Sequence, residues 1–263
     1  MAHLKAAVIG AGPRGRTHLD ALSSFDDVLL AAICDPNQET LQETFREYSP
    51  LAKYKEVEDL LNNEQLDAIF VAVPAHLNAP IARVCLENGV NTLLEKPPGM
   101  NATQAIELRD VAASSGAIGM VGWNRRFNPL IMEARAIVES KGPIQQIVGE
   151  FHKSMSRRRL DPVVMDNILY ETPIHSIDLI SSLSDSPTLQ VHSVVRRALS
   201  QYKDVHAALI EFENGCVAQL TANFTTDARL ERYEIHGRDV SAYLEGVNCG
   251  HVMVDGTRVD LDF

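Results

Sequence analysis

The segment Gly10-Ala11-Gly12-Pro13-Arg14-Gly15 constrains this chain more than any other, because it fits GxGxxG where an apolar strand passes into a helix. Leu4–Ile9 reads as the strand, Arg14–Ser24 as the helix and Val28–Cys34 as a second strand, which makes a βαβ unit. Gly10 then permits the tight turn, Gly12 lets the backbone approach a pyrophosphate, and Gly15 lets helix and strand pack closely. Pro13 and Arg14 stand at the helix start, where unpaired N–H groups and the dipole favour an anion. Asp35 ends the second strand, placed to accept hydrogen bonds from the hydroxyls of an adenine ribose. That carboxylate favours NAD over NADP, although the Arg14 guanidinium leaves NADP open.

The alternation continues through a helix at Gln38–Tyr48, a strand at Ala68–Val73, a helix at Ala79–Asn88 and a strand at Asn91–Leu94. Asn101 is placed to cap a following helix, and Ile118–Gly122 supplies another strand. Strands this uniformly apolar suit a parallel sheet covered on both faces. Beyond residue 122 the pattern changes to alternating runs joined by Glu213-Asn214-Gly215 and Val254-Asp255-Gly256, which predict antiparallel hairpins. The expected fold is therefore α/β in two domains, with residues 1–122 for a dinucleotide and residues 123–263 for substrate and self-association. In the run from Cys216 to Thr225, Cys216, Ala218, Leu220, Ala222 and Phe224 form one apolar face. The other face, with Gln219, Thr221, Asn223 and Thr225, is polar but uncharged and meets either solvent or another subunit.

Composition narrows the function. With 35 acidic against 24 basic side chains in 263 residues, the net charge of -11 repels nucleic acid and anionic lipid. No basic stretch followed by an apolar run opens the chain, and no apolar segment reaches a spanning length, so a cytoplasmic protein is expected. Cys34, Cys85, Cys216 and Cys249 are far apart and show neither zinc nor disulfide spacing.

Four segments beyond the glycine turn occur in order: Val73-Pro74-Ala75-His76-Leu77-Asn78, Glu95-Lys96-Pro97, Gly122-Trp123-Asn124-Arg125-Arg126-Phe127-Asn128-Pro129, and Glu171-Thr172-Pro173-Ile174-His175-Ser176-Ile177-Asp178. Together they resemble the glucose-fructose oxidoreductase, inositol dehydrogenase and rhizopine-catabolism family, Gfo/Idh/MocA. The resemblance implies a Rossmann domain and an α/β domain with an open, mostly antiparallel sheet. It implies oxidation or reduction at a hydroxyl-bearing carbon of a sugar, sugar acid or cyclitol. Lys96 matches the lysine of the family's EKP motif and His175 the histidine commonly used as acid/base. Val73, Pro74, Asn78 and Glu95 fall among cofactor contacts, and Asn124 among substrate contacts. Asn78 stands where histidine is frequent, and Glu171 where many members have aspartate. Relatives commonly associate through the open sheet, so a homo-oligomer is expected.

The residues also carry their own chemistry. Removing a hydride from a secondary alcohol requires a base for the hydroxyl proton, a task suited to His175. Glu171 lies four positions before it and Asp178 three after, so a helix beginning near Pro173 brings both carboxylates toward the histidine or the substrate. Lys96 follows an apolar strand at the carboxyl edge of the sheet, where it can stabilise a developing alkoxide. His18, His76 and His206 are read as structural. The run Lys153, Arg157, Arg158 and Arg159 either recruits an anionic substrate group through Lys153 and its neighbours or is simply solvated. No spacing calls for a metal. A noncatalytic dinucleotide sensor on the same fold is the alternative function.

Overall fold

A computed structural model describes residues 3–155, 165, 167–227 and 229–262. The chain divides into two compact units, Met1–Gly122 and Trp123–Phe263.

In the first unit six parallel strands lie in the order β3-β2-β1-β4-β5-β6. They are β1 (Leu4–Ile9), β2 (Val28–Cys34), β3 (Ala52–Tyr54), β4 (Ala68–Val71), β5 (Asn91–Leu94) and β6 (Gly119–Val121). The helices between them are α1 (Pro13–Ser23), α2 (Gln38–Tyr48), α3 (Val57–Asn63), α4 (Ala75–Glu87) and α5 (Ala102–Ser115). Successive β1 side chains enter opposite cores. Ala6 and Val8 pack with Leu19, Leu22 and Leu41, while Ala7 and Ile9 join Leu60, Ala82 and Leu86. This double burial explains the uninterrupted apolar strands.

Local signals set most boundaries. Asn37 accepts hydrogen bonds from Glu39 and Thr40 N–H at the start of α2, and Asn101 accepts one from Gln104 N–H at α5. The helix expected at Ala79–Asn88 instead starts at Ala75, with Pro80 inside it. Proline is best tolerated in a first turn, which is why the sequence points to a later start. Here α4 accepts the lost N–H because Ala79, Ala82, Cys85 and Leu86 bury one face.

In the second unit eight strands lie in the order β14-β13-β12-β11-β7-β10-β9-β8. Their spans are β7 (Gln146–His152), β8 (Thr188–Arg196), β9 (Val205–Phe212), β10 (Val217–Asn223), β11 (Leu230–Gly237), β12 (Val240–Glu245), β13 (Cys249–Val254) and β14 (Thr257–Asp262). All neighbours pair antiparallel except β7 with β10, which run parallel at the centre. Two hairpins turn at the positions expected, through Gly215 (φ 85°) and through Asp255 and Gly256 (φ 48° and 78°).

One face of this sheet carries α6 (Pro129–Glu139) and α8 (Ile174–Ser184), with the short α7 (Ile168–Glu171) just before the latter. Leu130, Ala134 and Val138 of α6 and Leu179, Ile180 and Leu183 of α8 form a single core with Ile147, Ala218, Leu220, Tyr233, Ile235 and Leu244. The apolar face of β10 is buried as its alternation requires. The uncharged polar face is narrower than the run alone implies. Thr221 lies beside Ala207 on β9 but beside Glu150 on β7, and Arg232, Glu234 and His236 follow on β11.

Candidate cofactor and catalytic sites

In the first unit a cleft of about 730 Å³ opens at the carboxyl ends of the strands. Gly10, Gly12, Pro13, Arg14, Asp35, Val73 and Pro74 line it. The three glycines divide their roles as the motif requires. Gly10 has φ 93°, and a Cβ there would lie 2.3 Å from the Ala72 carbonyl oxygen. A Cβ on Gly15 would lie 1.8 Å from the Gly10 carbonyl oxygen, whereas one on Gly12 would meet nothing within 4 Å. The space over Gly12 is therefore open, at the start of a helix whose N-terminus has no side-chain cap. These features fit the pyrophosphate of a dinucleotide.

Asp35 faces the same turn. Its Oδ2 accepts the Ala11 N–H and its Oδ1 the Asn37 N–H, both at 2.8 Å. The carboxylate thus opens the local turn and also keeps lone pairs for further donors. Glu56 and Glu58 line this end of the cleft together with Lys55. The Cys34 thiol registers the local field: burial first, then Asp35, Glu56, Glu58 and Asp59, push its pKa up to about 12. Lys55, Glu56 and Glu58 escape sequence reading because the three-residue β3 shows no periodicity.

The Glu95-Lys96-Pro97 loop at the end of β5 is held from several sides. Asn78 is fully buried, and its Nδ2 donates to the carbonyl oxygens of Glu95 (3.0 Å) and Pro97 (3.2 Å). Lys96 lies between those two carbonyls, and the Lys96-Pro97 peptide bond is cis. The Asn78 side chain, expected at the cofactor, therefore serves the loop backbone. Glu95 Oε1 lies 3.0 Å from His18 Nε2 and 3.6 Å from Arg14 Nε. Burial works to raise the Glu95 pKa, but the His18 hydrogen bond and the charges of Arg14, His18 and Lys96 outweigh it and hold the carboxyl below its usual value. His18 is thus more than filler. Its signal in the sequence is its spacing, one helical turn beyond Arg14.

In the second unit His175 occupies the first turn of α8, half-buried, with its ring edge-on to Trp123 at 6.3 Å. The short helix Asn124–Phe127 that follows Trp123 is clamped twice. Arg125 pairs with both oxygens of buried Glu231, at 2.6 and 3.0 Å, and Arg126 with both oxygens of Asp178. Tyr233 donates to Glu231 and shares a 2.8 Å hydrogen bond with Ser176, the residue next to His175. Asn124 is exposed beside Arg125. Asp178, which its spacing brings toward His175 or the substrate, gives both carboxylate oxygens to Arg126.

Lys153 follows β7, its N–H bonded to the Asn223 carbonyl at 2.9 Å. Arg157, Arg158, Arg159 and the Glu171 side chain lie outside the described residues. Among the described residues no group of three or more His, Cys, Asp or Glu is arranged to hold a metal. None of their helices is long and apolar enough to cross a membrane.

Comparison with known proteins places both units. Residues 4–123 match the family model of the GFO/IDH/MocA oxidoreductases with an NAD-binding Rossmann fold, and residues 131–243 match the GFO/IDH/MocA C-terminal domain. UDP-N-acetylglucosamine 3-dehydrogenase of Acidithiobacillus ferrooxidans is 27% identical over 94% of this chain and 76% of its own. A solved structure of that enzyme superposes with a TM-score of 0.86 at 26% identity, covering 100% of this chain and 84% of the other. Inositol 2-dehydrogenase of Corynebacterium glutamicum is 24% identical over 84% of this chain and 67% of its own. Levoglucosan dehydrogenase, solved with NADH and L-sorbose, shares the fold at 20% identity and a TM-score of 0.89, over 100% of this chain and 80% of its own. With both family models matched in order and each falling on one of the two units, the chain belongs to the GFO/IDH/MocA oxidoreductase family.

Proposed function

We propose that this protein oxidises a hydroxyl-bearing carbon of a sugar, sugar acid or cyclitol, with the first unit binding NAD and the second the substrate. Gly10, Gly12, Gly15 and Asp35 would hold the cofactor, which when bound supplies a hydride acceptor. His175 would take the hydroxyl proton, and the Lys96 ammonium would steady negative charge as it develops in the reaction. Asn124 and Lys153 would contact substrate hydroxyls or acidic groups. The observation that carries the reading is the pinned Lys96 loop. Asn78 donates to the carbonyls on both sides of that lysine, which holds its backbone in place at the carboxyl edge of the sheet.

NAD is preferred over NADP on two grounds. Asp35, Glu56 and Glu58 make the β2 end of the cleft acidic, which repels a 2′-phosphate. Arg14 leans toward Glu95 just past β5, whereas Asp35 follows β2 on the opposite side of β1 in the strand order.

UDP-N-acetylglucosamine, myo-inositol and levoglucosan, offered with NAD and with NADP, test the reading. Growth of reduced-nicotinamide absorbance with NAD and one of these or a related polyol is expected, more slowly with NADP. NAD binding without turnover across a broad polyol panel would contradict it and favour a dinucleotide sensor.

A further inference from the structure

Glu231 and Tyr233 of β11, with Arg229 just before it, are spaced two apart and share the face of the sheet that α8 covers. Hydrogen bonds join them in line from the start of α8: Ser176 Oγ to Tyr233 Oη at 2.8 Å, Tyr233 to Glu231 at 3.0 Å, and Arg229 Nη2 to Glu231 Oε2 at 2.9 Å. The line begins one residue from His175 and ends at Arg229. At that end the charges do not cancel. Arg126 holds both oxygens of Asp178 and Arg125 both oxygens of Glu231, so Arg229 adds a third guanidinium to two carboxylates. Among the described residues, Glu231 is the one carboxylate that pairs with Arg229. Two contacts fix the direction of this guanidinium. Nη2 is tied to Glu231, and the central carbon lies 5.7 Å from the centroid of the buried Phe151 ring. The Arg229 side chain is nonetheless 58% exposed, against 14% for Arg125. One arm of the fork is spent on Glu231, and the rest of a rigid, planar donor set is turned outward. A guanidinium held in this way can meet a carboxylate or phosphate with two parallel hydrogen bonds, a match that a neutral hydroxyl does not offer.

Resting on the substrate reading above, we propose that Arg229 is a specificity-determining residue that seats an anionic group of the substrate, a carboxylate or a phosphate. The protein then acts on an acidic or phosphorylated sugar in preference to a neutral polyol. Glu231 keeps the guanidinium in place, and Arg125, by sharing Glu231, leaves a local surplus of positive charge in a chain whose net charge is -11.

Phenylglyoxal modification of Arg229 in the full chain, read by mass spectrometry, tests the seat without turnover. D-glucuronate and D-glucose 6-phosphate should slow the modification about tenfold near saturation and D-glucose should not, the two anions showing whether carboxylate or phosphate fits better. Turnover with NAD then reads specificity. The ratio of kcat/KM for the better anion to that for D-glucose should fall about tenfold in Arg229→Gln, mainly through KM, the loss corresponding to one charge-assisted contact. Its unfolding midpoint should stay near wild type, because Arg125 and Tyr233 still hold Glu231. Arg229→Lys, which keeps the charge and loses the fork, should retain part of the preference, and it carries the test should Arg229→Gln fail to fold. Equal modification of Arg229 with and without the anions, or an unchanged ratio in Arg229→Gln, overturns the assignment. Shielding by an anion in a protein that turns over no polyol or sugar acid with NAD is a different result: the anion seat stands and the oxidoreductase reading falls.

Discussion

Arg126 grips Asp178 through two hydrogen bonds, Nε to Oδ2 at 2.8 Å and Nη2 to Oδ1 at 2.5 Å. The carboxylate one turn beyond His175 therefore ties α8 to the Asn124–Phe127 helix. Asp178 is 8% exposed but Arg126 is 40% exposed, so solvent screens part of the pair. Asp178→Ala should lower stability by about 1–2 kcal/mol in urea unfolding. An unchanged midpoint would show that the pair does not hold the helix.

Glu231 carries the heavier clamp, accepting from Arg125, Arg229 and Tyr233. Glu231→Ala strands the Arg125 charge and should cost about 3–5 kcal/mol. Burial acts to raise the Glu231 pKa, yet the Arg125, Arg229 and Tyr233 contacts win and lower it. A depressed folded pKa means stability fully present above the unfolded value of about 4.3 and lost as pH falls through the folded one. The stability gap between wild type and Glu231→Gln, measured by urea unfolding from pH 7 downward, should shrink only in that acidic window. A gap independent of pH would contradict the assignment.

The glycine turn separates folding from binding. Gly12 has an ordinary extended backbone, φ -71° and ψ -173°, with open space where a Cβ would go. Gly12→Val should unfold near the wild-type midpoint yet lose most NADH affinity, because the side chain enters the space a pyrophosphate requires. Gly15→Ala should instead fold poorly, its Cβ falling 1.8 Å from the Gly10 carbonyl oxygen. Undiminished NADH binding by folded Gly12→Val would remove the turn from the cofactor site.

Self-association through the open sheet is expected on the Gln219, Thr221 and Asn223 side. Because Glu150 stands opposite Thr221, an arginine there would find a partner, and a carboxylate is the sharper probe. Thr221→Glu places two carboxylates side by side on a face buried by association and should shift sedimentation toward monomer. A wild-type monomer at micromolar concentration, or a variant that assembles unchanged, would reject this interface.

Much of the first unit was legible because its signals are local. β1 and β2 are buried on both faces, Asn37 and Asn101 cap their helices through their own side chains, and the GxGxxG spacing leaves its glycines few alternative uses. The parallel pairing of β7 with β10 was not legible, since alternation gives the face of a strand but not its partner. Lys96 and His175 enter as candidates through ordered motifs. His18 and Glu231 do not, because their partners lie 77 and 106 residues away and only the fold brings them together. The pairing of Asp178 with Arg126 was not legible for the same reason, since it joins residues 52 positions apart.

We propose His175 as the base of an NAD-dependent alcohol oxidation. The most direct measurement is the pH profile of turnover for wild type and His175→Ala on a polyol that reduces NAD. Turnover should fall by roughly two to four orders of magnitude in His175→Ala at little cost to NADH affinity, and the acidic limb of the profile should disappear. Wild-type turnover with the same limb in His175→Ala would contradict the claim and move the test to Glu171.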